Sequence, residues 1–133
     1  MRVYIAAKYT ARCRLRAVRA RLCALGLECQ SAWMDQDDGD DPVPDERAVE
    51  ESRRSFADVD ASDVLAIDTI DASETGGREV EYGAYWAGRA GRPPFVIVVG
   101  PVRNVFHALA HARVARWSQA LRILAAMARK DSG

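Results

Sequence analysis

Apolar residues in this chain occur as short continuous runs, separated by stretches in which they recur at helical spacing. Val3 to Ala7 is a run with β-branched and aromatic members, and beyond Lys8-Tyr9-Thr10 the apolar positions become Leu15, Val18, Leu22 and Leu25. The first pattern is that of a buried strand, and the second follows the helical period of about 3.6 residues. Thr10 is placed to cap the helix, and Gly26 stands where a helix C-terminus favours glycine. Leu27 to Trp33 reads as a second strand. Asp45 is placed to open a second helix running to about Ala61, with Val49, Phe56 and Val59 as its apolar stripe. Val64 to Ile67 reads as a third strand, Arg78 to Ala90 as a third helix and Phe95 to Val99 as a fourth strand. A weak fifth strand near Arg113 to Arg116 precedes a last helix capped by Ser118, with Ala120, Leu121, Leu124 and Met127 on its apolar side.

Strands that alternate with helices and read as continuous apolar runs imply an α/β fold, a parallel sheet covered on both faces. The expected architecture is one doubly wound domain over residues 1–133, with five strands in the order 2-1-3-4-5. Ligands of such sheets bind beyond the carboxyl ends of the strands, where the strand order reverses. Between strands one and three, the walls of that crevice are Ala6 to Arg12, Trp33 to Asp45 and Asp68 to Arg78. Gly76 and Gly77, opening the third helix, offer free backbone N–H groups and a positive dipole end, which suits an anion.

Composition narrows the function. The 133 residues carry 19 Lys and Arg against 19 Asp and Glu, so there is no basic excess to grip a nucleic-acid polymer. No apolar run approaches the roughly 18 residues of a membrane span, and the first residues lack a signal-peptide pattern, so a cytoplasmic protein is expected. Cys13, Cys23 and Cys29 are odd in number and are expected to be reduced and structural. Arg12, Arg14, Arg16, Arg19 and Arg21 have no acidic partner within their helix and read as a solvated face, those nearest the first turn being able to attract an anionic ligand. The six aspartates from Asp35 to Asp45 faintly resemble a calcium loop. Gly39 is one position early for that, and a strand rather than a helix precedes the loop, which argues against calcium. Neither a GxGxxG after the first strand nor a GxxxxGK[ST] is present, which disfavours a dinucleotide fold and a P-loop.

Glu81 is the carboxylate best placed for chemistry. It lies in the first turn of the third helix, where the dipole favours the ionised state that a nucleophile requires, and Gly83 comes two residues later, permitting near approach. The run Thr75-Gly76-Gly77-Arg78-Glu79-Val80-Glu81-Tyr82-Gly83-Ala84, together with Asp58-Val59-Asp60-Ala61-Ser62-Asp63-Val64-Leu65 and the opening Val3-Tyr4-Ile5-Ala6-Ala7, resembles the nucleoside 2-deoxyribosyltransferase family. The similarity runs in order over most of the chain.

The resemblance implies a flavodoxin-like fold that cleaves the N-glycosidic bond of 2-deoxynucleosides or, in the hydrolase branch, of nucleoside 5′-monophosphates. It implies Glu81 as nucleophile and Tyr4 as the residue that contacts and orients it. Asn104, within Asn104-Val105-Phe106-His107, resembles an asparagine that reaches a neighbouring subunit's site, which implies a homodimer or larger assembly. Ser55 stands where the family often has a base-contacting aspartate, leaving Asp68 and Asp58 as substitutes, with Asp68 better placed to assist the leaving base. Thr75, six residues before Glu81, stands where transferases on free nucleosides commonly carry aspartate and monophosphate hydrolases serine. Two roles are open to it, phosphate ligand beside Gly76, Gly77 and Arg78, or helix cap. Ala7, Lys8, Tyr9 and Arg12 border the crevice and are expected to hold sugar or phosphate, and Trp33 is in reach to stack on a base. For Tyr9 and Trp33, ordinary packing is the competing role. The implied chemistry is retaining and two-step and requires no metal and no organic cofactor. A nucleotide-binding sensor that has kept the pocket and lost turnover is the alternative.

Overall fold

A computed structural model of the chain describes residues 1–7, 9–29, 31–35, 44–71, 94–103 and 105–132. Five strands, β1 (Arg2–Ala6), β2 (Glu28–Cys29), β3 (Val64–Asp68), β4 (Phe95–Val99) and β5 (Ala112–Val114), form one sheet in the order β2-β1-β3-β4-β5. All pairings are parallel, with Val3 opposite both Cys29 and Val64, Val64 opposite Phe95, and Ile97 opposite Ala112. This is the flavodoxin-like α/β architecture that the alternation of elements implies.

Alternate residues of each strand enter opposite cores. Val3, Ile5, Val64, Ala66, Ile97 and Val99 pack against Leu15, Val18 and Leu22 of helix α1 (Arg12–Ala24) and against Trp117, Ala120, Leu121 and Leu124 of helix α3 (Trp117–Ser132). Tyr4, Ala6, Leu65, Ile67, Val96 and Val98 face the other way, with Val59 of helix α2 (Asp45–Asp60). Every residue of β3 is buried, as a central strand covered on both faces must be. The third helix expected over 78–90 lies outside the described residues.

Local rules hold at one end of α1 and give way at the other. Gly26, at φ +82°, closes the helix: its N–H reaches the Cys23 carbonyl at 3.0 Å and the Leu27 N–H reaches that of Leu22 at 3.1 Å. The left-handed turn thereby satisfies carbonyls that the helix leaves open. At the start, Thr10 does not cap. Ala11 takes the cap position without a side-chain bond, and a 3-10 turn at Tyr9–Ala11 leads in. Ser118 does not cap α3 either. The Gln119 Oε1 atom accepts from the N–H groups of Ala115 (2.9 Å) and Arg116 (3.1 Å), the back-reaching half of a capping box. In α2, Pro44 holds the cap position, and Asp45 and Glu46 complement the dipole from the first turn. Of the expected stripe only Val59 is fully buried, Val49 and Phe56 being 51% and 38% exposed. Beside Val59 the half-buried positions of the helix are Ala48, Glu51, Ser55 and Asp58.

The second strand is much shorter than Leu27 to Trp33. Beyond Cys29 the chain passes into a 3-10 turn at Ala32–Asp35, and side chains take over the pairing. The Ile5 N–H donates to Ser31 Oγ at 2.7 Å, and Trp33 Nε1 donates to the Ile5 carbonyl at 2.7 Å, so both polar groups of a β1 residue are satisfied without a strand beside it. The opposite edge uses the same device. His111 Nδ1 accepts the Val96 N–H at 2.9 Å, its own N–H donates to the Val96 carbonyl at 2.9 Å, and the ring stacks on Phe95 with centroids 4.9 Å apart. Pairing of β5 then runs over Ala112–Val114, earlier than the expected 113–116.

The arginines of α1 are not merely a solvated face. Arg19 makes a bidentate pair with Asp35 (2.9 and 2.7 Å), and Arg16 Nε donates to the Met34 carbonyl at 2.8 Å, which ties the 3-10 turn to the helix. Arg19 holds the Asp35 carboxyl below the usual range. The three cysteines are free, and burial pushes the Cys29 thiol up.

Replacing Ser31 with alanine leaves the buried Ile5 N–H without its acceptor. Ser31→Ala is expected to lower the unfolding free energy by about 1–3 kcal/mol, read as a drop in urea midpoint at unchanged slope.

Candidate functional site

The sheet order puts the reversal point between β1 and β3, so the crevice opens beyond Ala6 and Asp68. From β1 the chain runs through Ala7, 8% exposed, into the 3-10 turn at Tyr9–Ala11 and then to Arg12, half-buried at the start of α1. Ala7, the turn and Arg12 thus follow directly on the carboxyl end of β1.

Asp68 stands at the corresponding end of β3, in a capacity other than the expected one. Its side chain is 1% exposed and accepts four hydrogen bonds. Arg14 Nη1 donates to Oδ2 at 2.9 Å and Nη2 to Oδ1 at 3.1 Å, Trp117 Nε1 donates to Oδ2 at 2.6 Å, and the Ile70 N–H donates to Oδ1 at 3.0 Å. A carboxylate so occupied is an acceptor without a free oxygen. This corrects the expectation that Asp68 protonates the leaving base. The Asp68 hydrogen bonds, and then Asp71, hold the Arg14 guanidinium more firmly protonated than an ordinary arginine.

Asp68 and Tyr4 are moreover on opposite faces of the sheet. The partners of Asp68 come from α1 and α3, whereas Tyr4, fully buried, packs with Leu65, Ile67 and Val59 on the α2 side. Trp33, expected as a platform for a base, spends its indole N–H on the Ile5 carbonyl and packs partly against both cores, so the packing role prevails. Ser55 is half-buried in α2. Asp58 lies in the last turn of that helix, where its carbonyl accepts from Ser62 Oγ at 2.7 Å. The chain enters β3 just beyond, so Asp58 belongs to the amino end of the sheet. The structure does not bring it to the crevice with Asp68. Lys8, Thr75, Gly76, Gly77, Arg78, Glu81 and Asn104 lie outside the described residues.

Three further residues shape the mouth. Thr69 donates from Oγ1 to the Pro101 carbonyl at 2.6 Å, and its N–H reaches the Val99 carbonyl at 2.9 Å. Gly100 turns there at φ +115°, and a Cβ at that position would meet Thr69 Oγ1 at 2.6 Å, so glycine is required both for the backbone angle and for the close approach. Arg103 Nε donates to the Thr69 carbonyl at 2.8 Å, and the Arg103 N–H donates to Nδ1 of His107, which is 3% exposed. The exits of β3 and β4 are thereby stitched together. An open pocket of about 400 Å³ beside them, lined by Gly100, Pro101, Arg113, Val114 and Ala115, belongs to the β4–β5 end and not to the reversal point.

Comparison with protein-family models, with curated proteins and with solved structures finds no match.

Sequence reasoning missed Arg14, Asp71, Arg103, His107 and Trp117. A signal existed for the first two: a helix with five arginines and no acid needs counter-charges elsewhere, and Asp68 and Asp71 come directly after an apolar strand. Among the described residues no cluster of three or more His, Cys, Asp or Glu is arranged to hold a metal ion, and no helix is long and apolar enough to cross a membrane.

His107 gives the mouth a pH dependence. Its Nδ1 must be unprotonated to accept the Arg103 N–H, and burial, with the nearby Arg103 charge, lowers its pKa from the ordinary 6.5. The unfolded chain therefore takes up this proton first. The contribution is present above pH 6.5 and is lost as the pH falls from there toward the folded-state value. The urea midpoint is expected to decline over that window, and His107→Gln, which does not titrate, to lack this part of the decline.

Proposed function

We propose that the chain cleaves the N-glycosidic bond of a 2-deoxyribonucleoside or its 5′-monophosphate through a covalent ester on Glu81. The reading is carried by the Thr75 to Ala84 run, which comes after β3 in a sheet of order 2-1-3-4-5 and so enters the chain at the reversal point. Handedness supports it. The β1-to-β2 connection runs one way across the sheet and has α1 on one face; the β2-to-β3 connection runs the other way and has α2 on the opposite face. The β3-to-β4 connection shares the direction of the latter, so the right-handed rule assigns it to the α2 face, the face of Tyr4. A glutamate borne on that connection and a tyrosine in β1 would then share a face.

In the first step the Glu81 carboxylate attacks C1′, the C–N bond breaks, and its electron pair leaves with the base, which takes a proton from solvent. In the second, water or another base attacks C1′, the C1′–O bond of the ester breaks to release the carboxylate, and the nucleophile gives up its proton to solvent, giving hydrolysis or deoxyribosyl transfer. Asp68, tied to Arg14, takes no part in the proton transfers. The small-molecule substrate would be held by Ala7, Lys8, Tyr9 and Arg12 on one side and by Thr75, Gly76, Gly77 and Arg78 on the other.

The second reading, a nucleotide-binding sensor without turnover, is favoured by one observation: Ser55 replaces the base-contacting carboxylate and Asp68 is not free to substitute. A homodimer or larger assembly accompanies the enzymatic reading. Its support is the exposure of Val102, Val105 and Leu109 (44%, 77% and 50%) around the Asn104 segment. Light scattering at catalytic concentration should give more than one chain per particle.

Glu81→Ala is expected to abolish release of free base, measured chromatographically over a panel of nucleosides and monophosphates, with the circular dichroism spectrum unchanged. Wild-type rates in that variant would end the covalent mechanism. Thr75→Asp is expected to weaken monophosphate turnover far more than nucleoside turnover, because a carboxylate repels a phosphate dianion that a hydroxyl and helix N–H groups would hold. The measurement is the ratio of kcat/KM for the two substrates in both proteins; an unchanged ratio would make Thr75 a helix cap.

A further inference from the structure

We propose that Arg14 and Asp71 together form a positioning clamp, which fixes the point at which the chain leaves β3 for the segment bearing Thr75 and Glu81. The proposal rests on the glycosidase reading for its catalytic consequence, though not for its geometry. Residues 68–71 are held from every side. The Ile70 N–H folds back onto Asp68 Oδ1, the Thr69 carbonyl accepts from Arg103, and Arg14 Nη2 bridges Asp68 Oδ1 at 3.1 Å and Asp71 Oδ2 at 3.0 Å.

The two carboxylates have different needs. Asp68, with its side chain 1% exposed, requires a counter-charge because water does not reach it. Asp71 is 46% exposed and would be solvated wherever it pointed. Neutralisation therefore accounts for the inner bond and leaves the outer one unexplained. What the outer bond does is anchor Asp71, three residues beyond the last residue of β3, to a guanidinium that is itself locked to the sheet. A planar fork reaches two carboxylates at once, which an ammonium does not do with the same geometry. An exposed pair of this kind adds little stability, so its loss should appear in the placement of residues 72–80 rather than in unfolding.

The test uses the full chain and the variants Asp71→Asn and Asp71→Glu, which leave the bonds between Arg14 and Asp68 in place. Amide hydrogen exchange is measured in residues 72–80 and in β3 and β4, alongside kcat and KM on the nucleoside or monophosphate turned over best. Asp71→Asn is expected to raise exchange over 72–80 at least about fivefold, with β3 and β4 unchanged. It should lower kcat by about tenfold or more while KM stays within about twofold, as misplacement of a reacting group does. Asp71→Glu, which keeps the carboxylate, should recover part of both. Unchanged exchange over 72–80 would overturn the clamp. So would a rise spread through β3 and β4, which marks a strut of the core, or a loss confined to KM. If the wild-type chain releases no base from any substrate, the glycosidase reading fails, and the exchange measurement alone decides the clamp.

Discussion

A carboxylate shut away from water at the end of a central strand sets the terms for everything around it. Asp68 is 1% exposed at its side chain, and an isolated charge in such a place would cost many kcal/mol. Four donors remove that cost, and they come from three elements: the Arg14 guanidinium from α1, the Trp117 indole from α3 and the Ile70 N–H from the turn after β3. Both helices on that face are thus fixed against the carboxyl end of β3, the end at which ligands of this architecture bind. The turn that Asp68 folds brings Thr69 against Gly100, and the absence of a side chain at Gly100 lets the β4 exit come within hydrogen-bonding reach. Removing one donor would leave a buried charge short of partners, so the four bonds stand or fall together.

The same economy governs the edges. Parallel strands need partners on both sides, yet β2 has two residues and β5 three. Ser31 and Trp33 on one edge, and His111 on the other, supply from side chains the bonds that longer strands would have supplied from backbone. These substitutions also blunt the edges, since backbone groups bonded to side chains offer no template for another strand. Charge obeys a similar plan. Of the arginines on α1, Arg14, Arg16 and Arg19 reach carboxylates on other elements, and Arg16 reaches the Met34 carbonyl as well, so these long polar side chains act as cross-links between the helix and the strand ends.

How much of this was legible in the sequence depends on whether hydropathy records it. Phe95 to Val99 matched β4 residue for residue, and Val64 to Ile67 fell one short of β3, because central strands of a doubly wound sheet are continuous apolar runs. The order of strands was expected from the alternation of strands with helices, and the sheet has that order. The short β2 was not legible: Ser31 and Trp33 continue the pairing through side-chain atoms, and no pattern of apolar residues distinguishes that from a strand. Caps were misplaced for a related reason, since Gln119 reaches back from inside α3 where Ser118 offered the commoner signal. Asp68 was found as a carboxylate at the right strand end, but its partners lie 54 residues before it and 49 after it, beyond any local reading. The stripe of α2 failed because Val49 and Phe56 stand exposed, while the half-buried positions beside Val59 are Ala48, Glu51, Ser55 and Asp58.

The two faces divide the labour. Strand alternation sends Asp68 to the α1 and α3 side and Tyr4, to which the proposed reading gives a part in the chemistry, to the α2 side. Anchoring charges and candidate chemistry are then separated by the thickness of the sheet. This separation has a physical advantage: a nucleophilic carboxylate needs its own environment, and a guanidinium bonded to it in both arms would quench the nucleophilicity that the first step requires. Arg14, bound to Asp68 and Asp71 on the far face, is committed and cannot do so. The strand end can therefore be rigid without its rigidity depending on the groups that react. On the proposed reading, Glu81 can then be replaced without loss of the frame, whereas Asp68, buried and bonded to both helices of the other face, belongs to that frame.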